Sequence, residues 1–129
     1  MGAGAAAPLR VVLCDDVAEL RSLVRAQLEA DGDIAVIGEA GDGLEVLRLI
    51  EDERPDLVLL DLSMPDMDGL EVLAQIREAA PETRVVVFSG FVAGPLGRRA
   101  VALGAYDYVE KGAPAEELRR ALRAAAGVA

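Results

Sequence analysis

Between Asp56 and Asp61 the chain reads Leu57-Val58-Leu59-Leu60, apolar at every position. A strand with one wet face alternates apolar and polar side chains, so an unbroken run of this kind indicates a strand buried on both faces. Strands of that type belong to parallel sheets covered by helices on either side. Leu9 to Cys14, Ile34 to Gly38 and Arg84 to Phe88 read as strands of the same sheet, and Ala105 to Val109 as a shorter fifth.

Segments of helical period separate these runs. Val17 to Ala30 carries Leu20, Leu23, Val24 and Leu28 at helical spacing and stops at Asp31-Gly32-Asp33. Gly41-Asp42-Gly43 opens a second helix with Leu44, Leu47 and Ile50 on one face, closing before Pro55. A third carries Leu70, Leu73 and Ile76 and is stopped by Pro81. Gly94, Pro95 and Gly97 crowd the start of the fourth, which is predicted over Leu96 to Leu103. The fifth starts near Pro114, a residue suited to a first helical turn, and carries Leu118 and Leu122. Five strands alternating with five helices predict an α/β fold: a parallel sheet with right-handed crossovers and helices on both faces.

At 129 residues the chain fits one domain, which should bury roughly two-thirds of the surface its unfolded chain exposes. Several functions are excluded by what is missing. There is no histidine, which removes histidine-dependent triads and the usual zinc sites, and one cysteine, Cys14, which cannot form an internal disulfide. Cys14 lies in an apolar run and reads as a small buried hydrophobe. Lys plus Arg number 13 against 23 Asp plus Glu, a net charge of −10 that disfavours direct nucleic-acid binding and anionic membranes. No apolar stretch approaches the ~20 residues that span a bilayer, and the start of the chain lacks the basic region of a signal peptide. A cytoplasmic protein is expected.

In open parallel sheets, ligands gather at the carboxyl ends of the strands. The first strand ends at Asp15 and Asp16, the third at Asp61; Ser89 follows the fourth, and Glu110 and Lys111 follow the fifth. Asp15, Asp16 and Asp61 would therefore share one edge of the sheet with a hydroxyl and an amine. Three converging carboxylates repel one another unless a cation sits among them, and Mg2+ suits an all-oxygen site that also meets phosphate. A carboxylate can act as a nucleophile and form an acyl phosphate, with Ser89 and Lys111 placed to bond its other oxygens. Each residue also has an ordinary explanation. Asp16 is placed to cap the helix starting at Val17, Asp61 and Ser89 suit turns, and Lys111 suits a solvated surface. It is their arrival together, each from a different turn on one edge, that points to a site.

The chain resembles the receiver domains of bacterial two-component response regulators from about Leu9 to Ala126. The resemblance rests on Asp15-Asp16, on Asp61-Leu62-Ser63-Met64-Pro65-Asp66-Met67-Asp68-Gly69, on Ser89-Gly90 and on Tyr108-Val109-Glu110-Lys111. It implies a flavodoxin-like, doubly wound sheet of strand order 2-1-3-4-5 over residues 9–126, leaving a tail at 127–129. Met1 to Pro8, small and uncharged, reads as a disordered lead-in. It further implies that Asp61 accepts a phosphoryl group and that Asp15, Asp16, Asp61 and the backbone carbonyl of Ser63 hold Mg2+. Ser89 and Tyr108 would be the switch residues, and Lys111 would pair with the phosphoryl group. The expected partners are a sensor histidine kinase or phosphotransfer protein and a downstream protein of unknown identity; a homodimer is also allowed.

This sequence departs from the family pattern in four places. Gly112 stands where the family usually has a proline with a cis peptide bond, implying either a looser loop around Lys111 or a rarer cis bond. Cys14 replaces a branched aliphatic, and the glycines of the fourth helix sit on the face most receivers use for signalling. No output domain follows Ala129, which implies a single-domain regulator or part of a longer protein. Two other readings fit less of the pattern. A Mg2+-dependent phosphohydrolase using Asp61 as nucleophile commonly has a second carboxylate two residues on, where this chain has Ser63. A degenerate receiver acting only as an interaction module would not need Asp15, Asp16, Asp61, Ser89 and Lys111 together.

Overall fold

Leu57, Val58, Leu59 and Leu60 are all buried, with exposures between 0% and 4%, because β3 (Leu57–Leu60) lies at the centre of a sheet covered on both faces. The computed structural model describes residues 7–65 and 67–128. Most of the expected lead-in, residues 1–6, lies outside the described residues, as do Asp66 of the long motif and Ala129 of the tail.

Among the described residues, β1 (Leu9–Cys14), α1 (Ala18–Glu29), β2 (Ile34–Ala40) and α2 (Gly43–Glu53) precede β3. After it come α3 (Gly69–Ala79), β4 (Arg84–Ser89), α4 (Gly94–Ala102), β5 (Asp107–Glu110) and α5 (Ala115–Ala125). The five strands are parallel and ordered β2-β1-β3-β4-β5, the doubly wound arrangement that the resemblance implied. The sheet separates two apolar layers, sorted by the twofold alternation of strand side chains. Val11, Leu13, Leu57, Leu59, Val86 and Phe88 pack with α1 and α5. Their neighbours Val12, Cys14, Val58, Leu60, Val85 and Val87 pack with α2, α3 and α4.

The helices differ from expectation in detail. Leu23 and Leu44 are 55% and 58% exposed, because the inward stripes run through Val24 and Leu28 in α1 and through Gly43, Val46 and Ile50 in α2. Helical spacing alone placed both leucines inward, yet each falls on the flank of its stripe. α4 begins at Gly94 rather than Leu96, with Pro95 in its first turn, where a missing N–H costs nothing. The described chain contains no cis peptide bond, so the Lys111–Gly112 bond is trans. Gly112 takes φ +99, a conformation closed to proline, and the glycine therefore gives this turn a different backbone path.

Candidate functional site

Parallel pairing decides which side chains meet. Cys14 is the register partner of Leu60, so Asp15 and Asp61 leave the sheet side by side, and the Asp61 N–H donates to the Cys14 carbonyl at 2.9 Å. Ser89 is the partner of Glu110, and the Lys111 N–H donates to the Ser89 carbonyl at 2.7 Å, which delivers Lys111 to the same edge. Asp15, Asp16 and Asp61 each offer a carboxylate oxygen, and these oxygens lie within 4.8 Å of one another.

Burial grades the cluster. Asp61 is 2% exposed and Asp15 7%, whereas Asp16 faces solvent. Lys111 Nζ donates to Asp15 Oδ2 at 2.7 Å and to Asp61 Oδ2 at 3.1 Å. Burial works against the Lys111 charge, but its bonds to Asp15 and Asp61 outweigh that, and its pKa is raised. The other Asp61 oxygen, Oδ1, accepts from the Ser63 N–H at 3.0 Å and from Ser63 Oγ at 2.7 Å. Both oxygens of Asp61 are thus oriented before any ligand arrives. Helix α1 is not capped by Asp16: Asp15 Oδ1 instead accepts from the Val17 N–H at 2.9 Å, and Asp16 remains exposed. The reach is geometric, since Asp15 bends back over the turn two residues on, as in an Asx turn.

Ser89 is fully buried, and its Oγ accepts from the Phe91 N–H at 3.2 Å. Tyr108 is half-buried, and its hydroxyl donates to the Phe91 carbonyl at 2.8 Å. Its ring lies against α4 at Gly97, where an added Cβ would stand 3.6 Å from ring Cγ and 3.1 Å from Ala93 Cβ. Gly97, one of the residues that crowd the start of α4, therefore also leaves room for the tyrosine. Cys14 lies beneath the site with its thiol 3.6 Å from Met64 Sδ; burial and then the nearby Asp61 and Asp15 push its pKa up to about 12. It behaves as the buried hydrophobe that the sequence indicated.

Two residues at this edge were not singled out by sequence. Arg21 donates from Nη1 to the Asp15 carbonyl oxygen at 2.5 Å, and Glu39 receives Arg21 Nε at 3.0 Å. The only sequence signal was a lone glutamate inside an otherwise apolar strand, with arginines one and two turns into the facing helix.

A parallel α/β sheet whose carboxyl edge gathers three carboxylates, a buried hydroxyl and a lysine offers oxygen ligands that could hold a cation beside a positive charge that could meet an anion. The family model of the response regulator receiver domain matches residues 11–123, and the chain belongs to that family. It is 35% identical over 118 residues to the chemotaxis protein CheY of Listeria monocytogenes, covering 92% of this chain and 98% of that one. It is 39% identical to the transcriptional regulatory protein LiaR of Bacillus subtilis, covering 91% of this chain and 56% of LiaR. It is 41% identical to the protein-glutamate methylesterase/protein-glutamine glutaminase of Maricaulis maris, covering 88% of this chain but 30% of that protein. The chain thus spans roughly a third to a half of the length of those two longer relatives. Among solved structures, the response regulator domain of Thermotoga maritima CheB superposes with a TM-score of 0.85 at 28% identity, over 95% of this chain and 98% of that one. A LuxR-family two-component response regulator from Aurantimonas gives 0.89 at 30% identity, over 94% and 86%. The chain is a receiver domain of two-component signalling, a phosphorylation-dependent switch. No described helix is long and apolar enough to cross a membrane.

Proposed function

We propose that Asp61 accepts the phosphoryl group, from a histidine kinase or a phosphotransfer protein, and that Ser89, Tyr108 and Lys111 convert its arrival into a change of the partner-binding face. One observation carries this reading: Asp61 is held between Ser63 and Lys111 and lies within 4.8 Å of two further carboxylates.

The donor set fits a hard divalent cation, since it offers only oxygen and carries more negative charge than Lys111 alone balances. Asp15, Asp16 and Asp61 would hold Mg2+, together with the Ser63 carbonyl. When bound, Mg2+ neutralises charge on the carboxylates and on the incoming phosphoryl oxygens. An Asp61 oxygen attacks phosphorus, the bond from phosphorus to the donor nitrogen breaks, and that nitrogen keeps the electron pair. Lys111 supplies a positive charge for a phosphoryl oxygen, and the Ser89 hydroxyl supplies a hydrogen bond.

Ser89 also links the site to the loop before α4, through the Phe91 N–H that it now accepts. Turning its hydroxyl toward a phosphoryl group gives up that bond, and the Phe91 carbonyl is the acceptor of Tyr108. Tyr108 is in this way the second half of the switch. We place the domain at 9–126, consistent with the family match over 11–123. Its setting is the cytoplasm, and it acts through a downstream protein rather than by turnover of an outside substrate.

The test is the intact-protein mass after incubation with acetyl phosphate, with and without Mg2+, on wild type and Asp61→Asn. A single Mg2+-dependent phosphoryl addition that is lost in the variant supports the assignment. An Asn variant labelled like wild type would sink it.

A further inference from the structure

The register between β1 and β2 slips within β2: Val11 is paired with Val36, but Val12 with Gly38, leaving Ile37 as an extra residue. Before the slip, Ile34 and Val36 face the α1 and α5 layer; beyond it, Ala40 packs into the opposite layer and Glu39 turns toward α1. A one-residue bulge reverses which face each later side chain meets. In unbroken alternation Glu39 would share the face of Ile37, away from α1.

On the α1 face a half-buried carboxylate needs partners, and it has two. Arg25 Nη1 reaches Glu39 Oε2 at 2.7 Å, and Arg21 Nε reaches Oε1 at 3.0 Å. Burial works against the Glu39 charge, and the bonds from Arg25 and Arg21 overcome it, holding the carboxyl below its ordinary range. The Arg21 side chain, 19% exposed, then uses Nη1 on the Asp15 carbonyl. That carbonyl belongs to the peptide joining Asp15 to Asp16. The same end of β2 takes the Asp15 N–H, which donates to the Ala40 carbonyl at 3.0 Å. The turn bearing both aspartates is gripped from its N–H side by β2 backbone and from its carbonyl side by Arg21.

We propose that Arg21 and Glu39 are a positioning pair that fixes the β1–α1 turn and thereby sets the affinity of the acidic cluster for its divalent cation, an inference that rests on Asp15 and Asp16 being cation ligands. Arg21 touches no carboxylate of the cluster; it acts on the peptide between two of its residues. Partners of this kind, one shell out from a metal, orient the ligands and tune affinity.

Removing Arg21 alone has opposing effects, because it loosens the turn but also deletes a positive charge near a cation site. The double variant Arg21→Met with Glu39→Gln leaves net charge unchanged and isolates geometry. Calorimetric titration of the full chain with Mg2+ is expected to show about tenfold weaker binding in the double variant. Arg21→Lys, which keeps the charge and one donor, recovers part of the loss. In metal-free protein the Val17 amide, now bonded to Asp15 Oδ1, exchanges faster in the double variant. Mg2+ affinity within about twofold of wild type, with unchanged Val17 exchange, overturns the proposal. Should the double variant fail to fold, Glu39→Gln alone decides by the same two readouts. A wild type that does not bind Mg2+ refutes the ligand assignment instead, and Val17 exchange without metal still tests the pair.

Discussion

Glu110 Oε2 accepts the N–H of Ala93 at 3.0 Å, so the last residue of β5 caps α4. The helix has no capping side chain of its own at Ala93. Tyr108, two residues earlier on the strand, holds the Phe91 carbonyl of the same loop. Two side chains of one strand therefore pin the segment that begins directly after Ser89.

Glu110→Ala should remove this cap and lower stability by about 1 kcal/mol in urea unfolding. Amide exchange should accelerate in α4 and residues 91–93 while the β1–β3 core keeps its protection. Uniform acceleration across the sheet would contradict a local capping role.

Lys111→Ala deletes the positive charge that Asp15 and Asp61 share. In EDTA the variant should lose about 1 kcal/mol, discounted for the partial exposure of the amine, and Mg2+ should raise its Tm more than it raises that of wild type. The folded pKa of Lys111 is raised, so its contribution is complete below its ordinary value of 10.5 and is lost only as pH climbs through the higher folded value. The deficit measured at pH 6 and pH 8 should therefore be equal; a deficit that shrinks between them contradicts the pairing.

Glu39 has a lowered folded pKa, so its contribution is present above its ordinary value of 4.5 and fades as pH falls through the folded value. Wild type and Glu39→Gln should differ by a constant stability from pH 5 to 8 and converge on further acidification, in urea melts run at each pH. Parallel curves down to pH 2.5 would show that the Glu39 charge carries no stability.

Gly69, the last residue of the long motif, opens α3 against the loop that follows Asp61: a Cβ there would lie 2.5 Å from Leu62 Cα. Backbone cannot swing aside as a flexible side chain can, so Gly69→Ala should cost about 2 kcal/mol and slow labelling by acetyl phosphate. Gly90→Ala is the control, with nothing within 4 Å of its new methyl, and should stay within about 0.5 kcal/mol of wild type. Equal effects at both positions would rule out the steric account.

Apolar patterning made the strands and the two-layer core legible, because Leu57 to Leu60 admit no wet face. The strand order came from the family resemblance rather than from any residue pattern. The placement of Asp15, Asp16, Asp61, Ser89 and Lys111 at one edge was legible because each ends a strand or follows one, and parallel pairing turns that position into proximity. Arg21 and Glu39 were not, since their meeting depends on the extra residue at Ile37, and a bulge leaves no mark in a run such as Ile34-Ala35-Val36-Ile37. Capping by Asp15 rather than Asp16 and by Glu110 across 17 residues escaped for a similar reason. Each depends on backbone direction in a turn, which side-chain spacing does not encode.

The ion pair between Asp15 and Lys111 joins residues 96 positions apart, each directly after a strand, and those strands, β1 and β5, are separated in the sheet by β3 and β4. Contacts of such long range form late, because closing a long loop costs entropy before the contact is gained. A chain still emerging from the ribosome has all three aspartates long before it has the lysine. It is therefore expected to lack the charge arrangement proposed to receive the phosphoryl group until β5 has docked, so that on this reading only a completely folded domain carries the signal. Stalled chains ending before Tyr106 should resist labelling by acetyl phosphate under conditions that label the full chain.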